Sequence, residues 1–343
     1  MRYIIELSTS KVQAIKLLMD NGKYEDMQSF LLTAIENQLY LEKQPLKQSP
    51  IQDLMSDRSF EESASSSSFS LTSQPRLTSP DVVIVQDPQP EVLNAESLWA
   101  LHNRIFPIKI SVRVLLNIMK SNPTKDGYVS LRTVQDAALE EARRFGRLLS
   151  QADKKSHRLH GNKLSAGLPG AGEGSRDRFK FSFVGSINSK NHLDGAPAIL
   201  RFVNMRRNEE GEPQIGITES GSQFALLENP ILDKADYTHV FSREESDFYI
   251  RHVAEKLQKE HLLSVSVLQA IENGHITPDE LTQVVLHANP NMKEEEAQAI
   301  RSSLISRLSE LGFVRRKREG LNVTYSLTTD GCTLLTSPTI TEK

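Results

Sequence analysis

A chain of 343 residues with 38% hydrophobic and 25% charged positions can build two or three small cores once its polar stretches are set aside, and a single compact domain is not expected. The net charge of −3 gives no global attraction to polyanions, yet the cations are clustered: Arg143 to Lys163 holds seven Lys or Arg against one Asp, and Arg315, Arg316, Lys317 and Arg318 form a second run. One cysteine, Cys332, excludes an intramolecular disulfide framework and a cysteine zinc site, and the absence of a run of about 18 apolar residues, behind a start that turns polar too soon for a signal peptide, predicts a soluble cytoplasmic protein.

In chain order, residues 1 to 44 predict a strand and two helices. Tyr3, Ile5 and Leu7 alternate with Arg2, Ile4 and Glu6, the period of two that a strand requires. Ser8, Thr9 and Ser10 offer helix caps, and Val12, Ile15, Leu18 and Met19 recur at helical spacing until Asn21-Gly22 stops the helix. A second helix runs from about Asp26 to Leu41 with Phe30, Leu31, Ala34 and Ile35 on its apolar face. One strand with two short helices has unpaired backbone groups and too little core, so a partner chain is required.

This order and spacing resembles the ribbon-helix-helix family of prokaryotic DNA-binding proteins. The resemblance implies a homodimer whose paired strands enter the major groove, with Tyr3, Ile5, Leu7, Ile15, Phe30, Ala34 and Ile35 at the dimer core and Arg2 at the DNA. Ile4 cannot hydrogen-bond a base edge, and Glu6 is repelled by phosphate unless it accepts from cytosine. Two roles therefore stay open, dimerisation with DNA contact or dimerisation alone, beside the blander one of a helical hairpin.

Residues 45 to 95 are rich in Ser, Pro, Gln and Asp and predict a disordered linker, in which Val82 to Val85 is a short apolar run able to dock as a strand. A middle domain is expected over 96–232, with a three-helix part at Leu115 to Met119, Tyr128 to Leu131 and Thr133 to Ser150, a long inserted loop over 153–178, and wing strands at Phe179 to Val184 and Ala198 to Val203. A helical connector is expected over 233–261 and a disordered tail over 337–343.

The segment 262–336 carries the most complete pattern. Leu263 to Glu272 is amphipathic, Thr277-Pro278-Asp279-Glu280 is a capped helix start, and Glu294 to Leu311 is a third helix. After Gly312 the period changes to two, so Phe313 to Lys317 and Asn322 to Leu327 read as a hairpin. Three helices and a hairpin resemble a winged helix. That resemblance implies DNA contacts from the third helix, at Arg301, Ser302, Ser303, Ser306 and Arg307, and from the wing, at Arg315, Arg316, Lys317 and Arg318. A basic hairpin is also what an edge strand protected against pairing looks like.

Ile217-Thr-Glu-Ser-Gly221 parallels Leu327-Thr-Thr-Asp-Gly331, which reads either as a second, embellished copy of this unit in the middle domain or as coincidence. As a copy, it puts Arg132, Arg143, Arg144 and Arg147 on or beside a recognition helix, with Lys154, Lys155, Arg158 and Lys163 following in the inserted loop.

Catalytic chemistry finds little to stand on. Gly167 to Gly174 lacks the Lys-Ser/Thr of a phosphate-binding loop, and His157 and His160 have no third ligand in a convincing pattern. Glu294 to Glu296 suit the positive end of a helix dipole better than paired acid-base work.

The expected fold class is mainly α with small β-hairpins (α+β), a ribbon-helix-helix segment and linker ahead of two tandem winged-helix-like domains. The expected function is a dimeric, non-enzymatic transcriptional regulator on double-stranded DNA, without cofactor, metal or membrane. The alternative is a non-catalytic adaptor whose winged helices dock other protein subunits.

Overall fold

The computed structural model describes residues 82–93, 95, 97–98, 102–158, 162–320 and 322–336. The chain divides into two compact units, Met1–Ser67 and Ser68–Lys343, and every described residue belongs to the second. The expectations for Arg2, Tyr3, Ile5, Leu7, Ile15, Phe30, Ala34 and Ile35, and for the tail 337–343, lie outside the described residues.

The fold is mixed α and β, with helices dominant and the strands in small antiparallel sheets. Helix α1 (Phe106–Ser121) is covered on every side, each residue from Phe106 to Met119 being buried, Lys109, Ser111, Arg113 and Asn117 among them, so it lies at the centre of the core. β1 (Val129–Ser130) leads into α2 (Leu131–Lys155), whose first turn is capped by the Ser130 hydroxyl accepting from the Thr133 amide at 3.4 Å. Leu131, Val134, Ala138, Ala142, Phe145 and Leu149 recur every three or four residues and form its buried stripe.

α3 (Glu173–Phe179) runs into a π-helical turn over Lys180–Val184, where a wing strand was expected. Phe179, Phe181 and Phe183 satisfy period two, but Phe179 and Phe183 also share a helical face; helix prevails by burying both and leaving Phe181 53% exposed. β2 (Ser186–Ile187) and β3 (Leu193–Asp194) form a short hairpin, followed by α4 (Ala196–Ile199). The second expected wing strand therefore begins at Val203, because Pro197 in the first turn favours helix over the residues before it.

β4 (Val203–Arg207) and β5 (Pro213–Ile217) pair antiparallel, and β1 joins the far side of β5, giving the order β1-β5-β4. Residues 82–93 are docked rather than free within the expected linker: the Val85 amide donates to the Ile217 carbonyl at 3.0 Å, and Lys256 pairs with Asp87 at 3.0 Å.

α5 (Glu219–Leu226), α6 (Pro230–Lys234) and α7 (Arg243–Lys256) follow, then α8 (Gln258–Glu272), α9 (Pro278–Ala288) and α10 (Glu294–Glu310). α9 starts with the expected capping box, Thr277 and Glu280 each bonding the other's backbone amide. β6 (Val314–Glu319) and β7 (Asn322–Leu327) form the last hairpin, and α11 (Thr329–Thr336) follows it.

One core extends from Leu98 to Tyr325, so the stretches expected as middle domain, connector and C-terminal domain are packed on one another. The Lys109 ammonium is wholly buried and bonds Glu245 at 2.8 Å and the Leu227 carbonyl at 2.8 Å; burial lowers its pKa to about 8.

Two parts of this unit repeat one set of interactions. Val129 pairs with Ile215 on β5, and the Ile276 carbonyl accepts from the Tyr325 amide on β7 at 2.9 Å. Ser130 and Thr277, each next in sequence, cap the helix that follows. Past each hairpin, Thr218 and Thr328 donate their hydroxyls to Arg201 and Gly312 carbonyls at 2.6 Å and accept from the Gly221 and Gly331 amides at 3.2 and 3.0 Å. Both glycines lie against a phenylalanine backbone: a Cβ on Gly221 would stand 1.9 Å from the Phe202 oxygen, and one on Gly331 would stand 2.3 Å from that of Phe313. Between cap and hairpin the first part is twice as long, 130–202 against 277–313, and the excess contains α3, the π turn and the β2–β3 hairpin.

Candidate nucleic-acid interface

On α2, Arg132 and Arg147 are exposed, while Arg143 and Arg144 are half-buried. Arg144 bonds Glu141 at 2.8 Å and lies 4.3 Å from the centre of the Phe145 ring, so much of its charge is spent inside the helix. α2 is the second helical element of its part, as α9 is of the other; α3 and its π turn come third. The expected order, with Tyr128 to Leu131 as the second helix and these arginines on the third, is corrected accordingly: Val129–Ser130 is a strand paired with β5, and Leu131 already begins α2.

Lys154 and Lys155 project from the last turn of α2, where cations meet the negative end of the helix dipole. Beyond it, Arg158 donates through Nη2 to the Tyr237 carbonyl at 2.6 Å, and its Nη1 lies 3.6 Å from Asp153. The buried Asp153 carboxylate accepts from the Leu164 and Ser165 amides at 2.9 and 3.0 Å, which fixes the loop that carries the exposed Lys163.

α10 departs furthest from expectation. Arg307 is 1% exposed; it donates to the Leu98 and His102 carbonyls at 2.9 and 2.7 Å and pairs with the buried Glu260 at 2.5 Å. Ser303 is buried as well. Neither side chain faces solvent, because the helical phase set by Ala297, Ile300, Leu304 and Leu308 turns both against neighbouring elements. Arg301 is half-buried, with Nε 3.4 Å from the Thr282 hydroxyl, and Ser302 is exposed. Ser306 spends its hydroxyl on the Ser302 carbonyl at 2.8 Å.

On β6, Arg315, Lys317 and Arg318 are exposed and Arg316 is half-buried. Lys317 pairs with Glu319 at 2.7 Å, and this contact raises the lysine pKa and lowers the glutamate's. Arg318 Nε donates to the Gly320 carbonyl at 3.0 Å.

The two basic runs meet. Arg158 and Lys163 from the first, Arg315 and Arg316 from the second, and Arg104 from the segment before α1 line one cleft of about 230 Å³ with Ser309. Glu310 lies on the same wall, and its oxygens accept from the Ile105 and Phe106 amides at 2.6 and 3.4 Å. Burial raises its pKa. Arg104 and Ser309 carry no signal in the sequence, because neither belongs to a cationic run.

The β4–β5 hairpin has the opposite character. Its tip carries Glu209, Glu210 and Glu212, while Arg206 is held by Asp126 and stacks 4.0 Å from the Tyr128 ring centre. Among the described residues no group of three or more His, Cys, Asp or Glu side chains could hold a metal ion, and no helix is long and apolar enough to cross a membrane. The chain matches no protein-family model, no curated protein and no solved structure in the comparisons made with each.

Proposed function

We propose that this chain is a non-enzymatic DNA-binding protein that holds duplex DNA by its phosphates across a composite basic face, as part of a homodimeric transcriptional regulator. The observation that carries this reading is the meeting of the two basic runs, some 150 residues apart in sequence, in one cleft. Cations brought together by folding suit a polyanion, because each neutralised phosphate releases a counterion.

Tandem winged-helix-like modules are the architecture proposed beneath this face. Each repeated part has helices ahead of its hairpin, a residue or short strand bonded to the second hairpin strand, and a Thr-capped helix after the hairpin. The basic hairpin β6–β7 then acts as the wing on the backbone, with Arg301 and Ser302 as the groove-facing residues of α10. Residues 1 to 44 supply the dimer, whose two basic faces raise each other's effective concentration on one duplex.

Fluorescence anisotropy with a labelled duplex of arbitrary sequence, at low ionic strength, tests the proposal. Saturable binding by the full chain at or below about 10 μM is expected of a nonspecific phosphate grip. Indifference to duplex under those conditions would overturn it.

A second reading, a non-catalytic adaptor, is favoured by one observation. α10 opens with Glu294, Glu295 and Glu296 and turns Arg307 inward, leaving a face better suited to a basic protein surface than to a DNA groove. Under that reading the anisotropy does not change.

A further inference from the structure

We infer that the cleft lined by Arg158, residues 162–164, the end of α10 and β6 is a seat for a single phosphate group, supplied by the DNA backbone; the identity of that source rests on the DNA-binding reading above. Two buried polar atoms on residues that line the cleft, Arg158 Nη1 and Ser309 Oγ, have no hydrogen-bond partner among the described residues. Both can donate. A buried donor left unmade is costly, so two of them on residues of one cleft call for an acceptor with several lone pairs.

The Arg158 head group is already anchored. Nη2 is fixed on the Tyr237 carbonyl at 2.6 Å, and the 3.6 Å from Nη1 to Asp153 is an ion-pair contact too long for a hydrogen bond, so this nitrogen is held in place with its hydrogen-bond donation unmade. Arg104, Lys163, Arg315 and Arg316 line the same 230 Å³ and make the acceptor an anion.

A phosphate fits better than a carboxylate, because its tetrahedral oxygens accept from donors arriving from several sides, whereas a carboxylate presents two oxygens in one plane. Glu310 and Asp153 oppose any anion here. The Glu310 oxygens, however, are committed to the Ile105 and Phe106 amides at the positive end of α1, and those of Asp153 to the Leu164 and Ser165 amides. Arg315 and Arg316 belong at once to the cleft and to the basic strand, so a phosphate seated in the cleft continues a row of backbone contacts along β6.

The test uses the full chain, inorganic phosphate as probe, and Ser309→Ala and Arg158→Lys as variants, the serine change being the one that leaves the Tyr237 anchor intact. Calorimetric titration at matched ionic strength should show phosphate binding over chloride, weakened about tenfold in each variant through loss of a bond to a charged group. Phosphate should also displace duplex from the wild type more than chloride does, and that excess should vanish in Ser309→Ala.

No preference for phosphate, or equal binding by wild type and both variants, overturns the seat even where duplex still binds. Variant-sensitive phosphate binding in a chain that ignores duplex keeps the seat and rejects the DNA-binding reading. Variant-sensitive phosphate binding without competition against a bound duplex assigns the seat to a small phosphate-bearing ligand and overturns the backbone as its source.

Discussion

Glu310, in the last turn of α10, accepts the backbone amide of Ile105 at 2.6 Å and so caps α1, a helix more than 180 residues earlier in the chain that has no side-chain cap of its own. The basic β6 strand follows within a few residues of α10, so this bond and those of Arg307 tie the start of β6 to the central helix. Glu310→Gln retains an acceptor of the same shape, while Glu310→Ala leaves two amides without one. Urea denaturation should place the alanine variant about 1 to 3 kcal/mol below the glutamine variant. Equal midpoints for the two would remove the cap from the account.

Arg307 supports structure rather than reading DNA. Arg307→Ala leaves Glu260 buried and uncompensated, which should cost about 3 to 5 kcal/mol. Replacing both partners, Arg307→Met with Glu260→Leu, should recover a large part of that loss in the same denaturation assay. Duplex affinity of the folded fraction should stay within about twofold of wild type, since an inward-facing guanidinium releases no counterion.

His102 is buried, and desolvation, aided by Arg307, lowers its pKa to about 4; burial lowers that of His252 too. The unfolded chain therefore takes up protons first as pH falls from 6.5 toward 4, and stability falls with it by as much as about 3 kcal/mol for His102. Glu310, with its raised pKa, works in the opposite sense above pH 4.5, where it favours the unfolded chain. The Lys109 pKa of about 8 adds a second window, with stability rising from pH 8 to 10.5 as the unfolded lysine alone remains protonated. Melting temperatures across both windows check these signs. His102→Gln should flatten the acidic slope, and an unchanged slope would contradict the assignment.

The paired glycines test the internal repeat. Gly221→Ala and Gly331→Ala each drive a Cβ into a phenylalanine carbonyl, at 1.9 and 2.3 Å before relaxation. Each should lower stability by about 1 to 3 kcal/mol, as overpacked sites do, with the larger loss at Gly221. Thermal melts of the two variants report this directly; tolerance of alanine at either position would mean that the shared Thr-to-Gly corner does not constrain the backbone.

What could be read from sequence was what is locally determined. The Thr277 to Glu280 capping box is complete within four residues, and the β6–β7 hairpin follows from a switch to period two after Gly312, with a turn at Gly320. Phe179 to Val184 misled because an alternating Phe pattern obeys both periods, and only the core on one side decides between them. Arg307 looked like a surface cation because its partners, Glu260 and the Leu98 and His102 carbonyls, are remote in sequence. The basic cleft was half legible: each run was visible, but their meeting, and the part played by Arg104 and Ser309, depends on α10 docking against α1.

The salt dependence of duplex affinity is the most direct measurement of the composite face. The slope of log affinity against log salt should be steep for the full chain. It should flatten by roughly 0.9 for each phosphate that is no longer neutralised, both in Lys154→Gln/Lys155→Gln/Lys163→Gln and in Arg315→Gln/Arg316→Gln/Arg318→Gln. A slope that neither triple substitution alters would contradict the account.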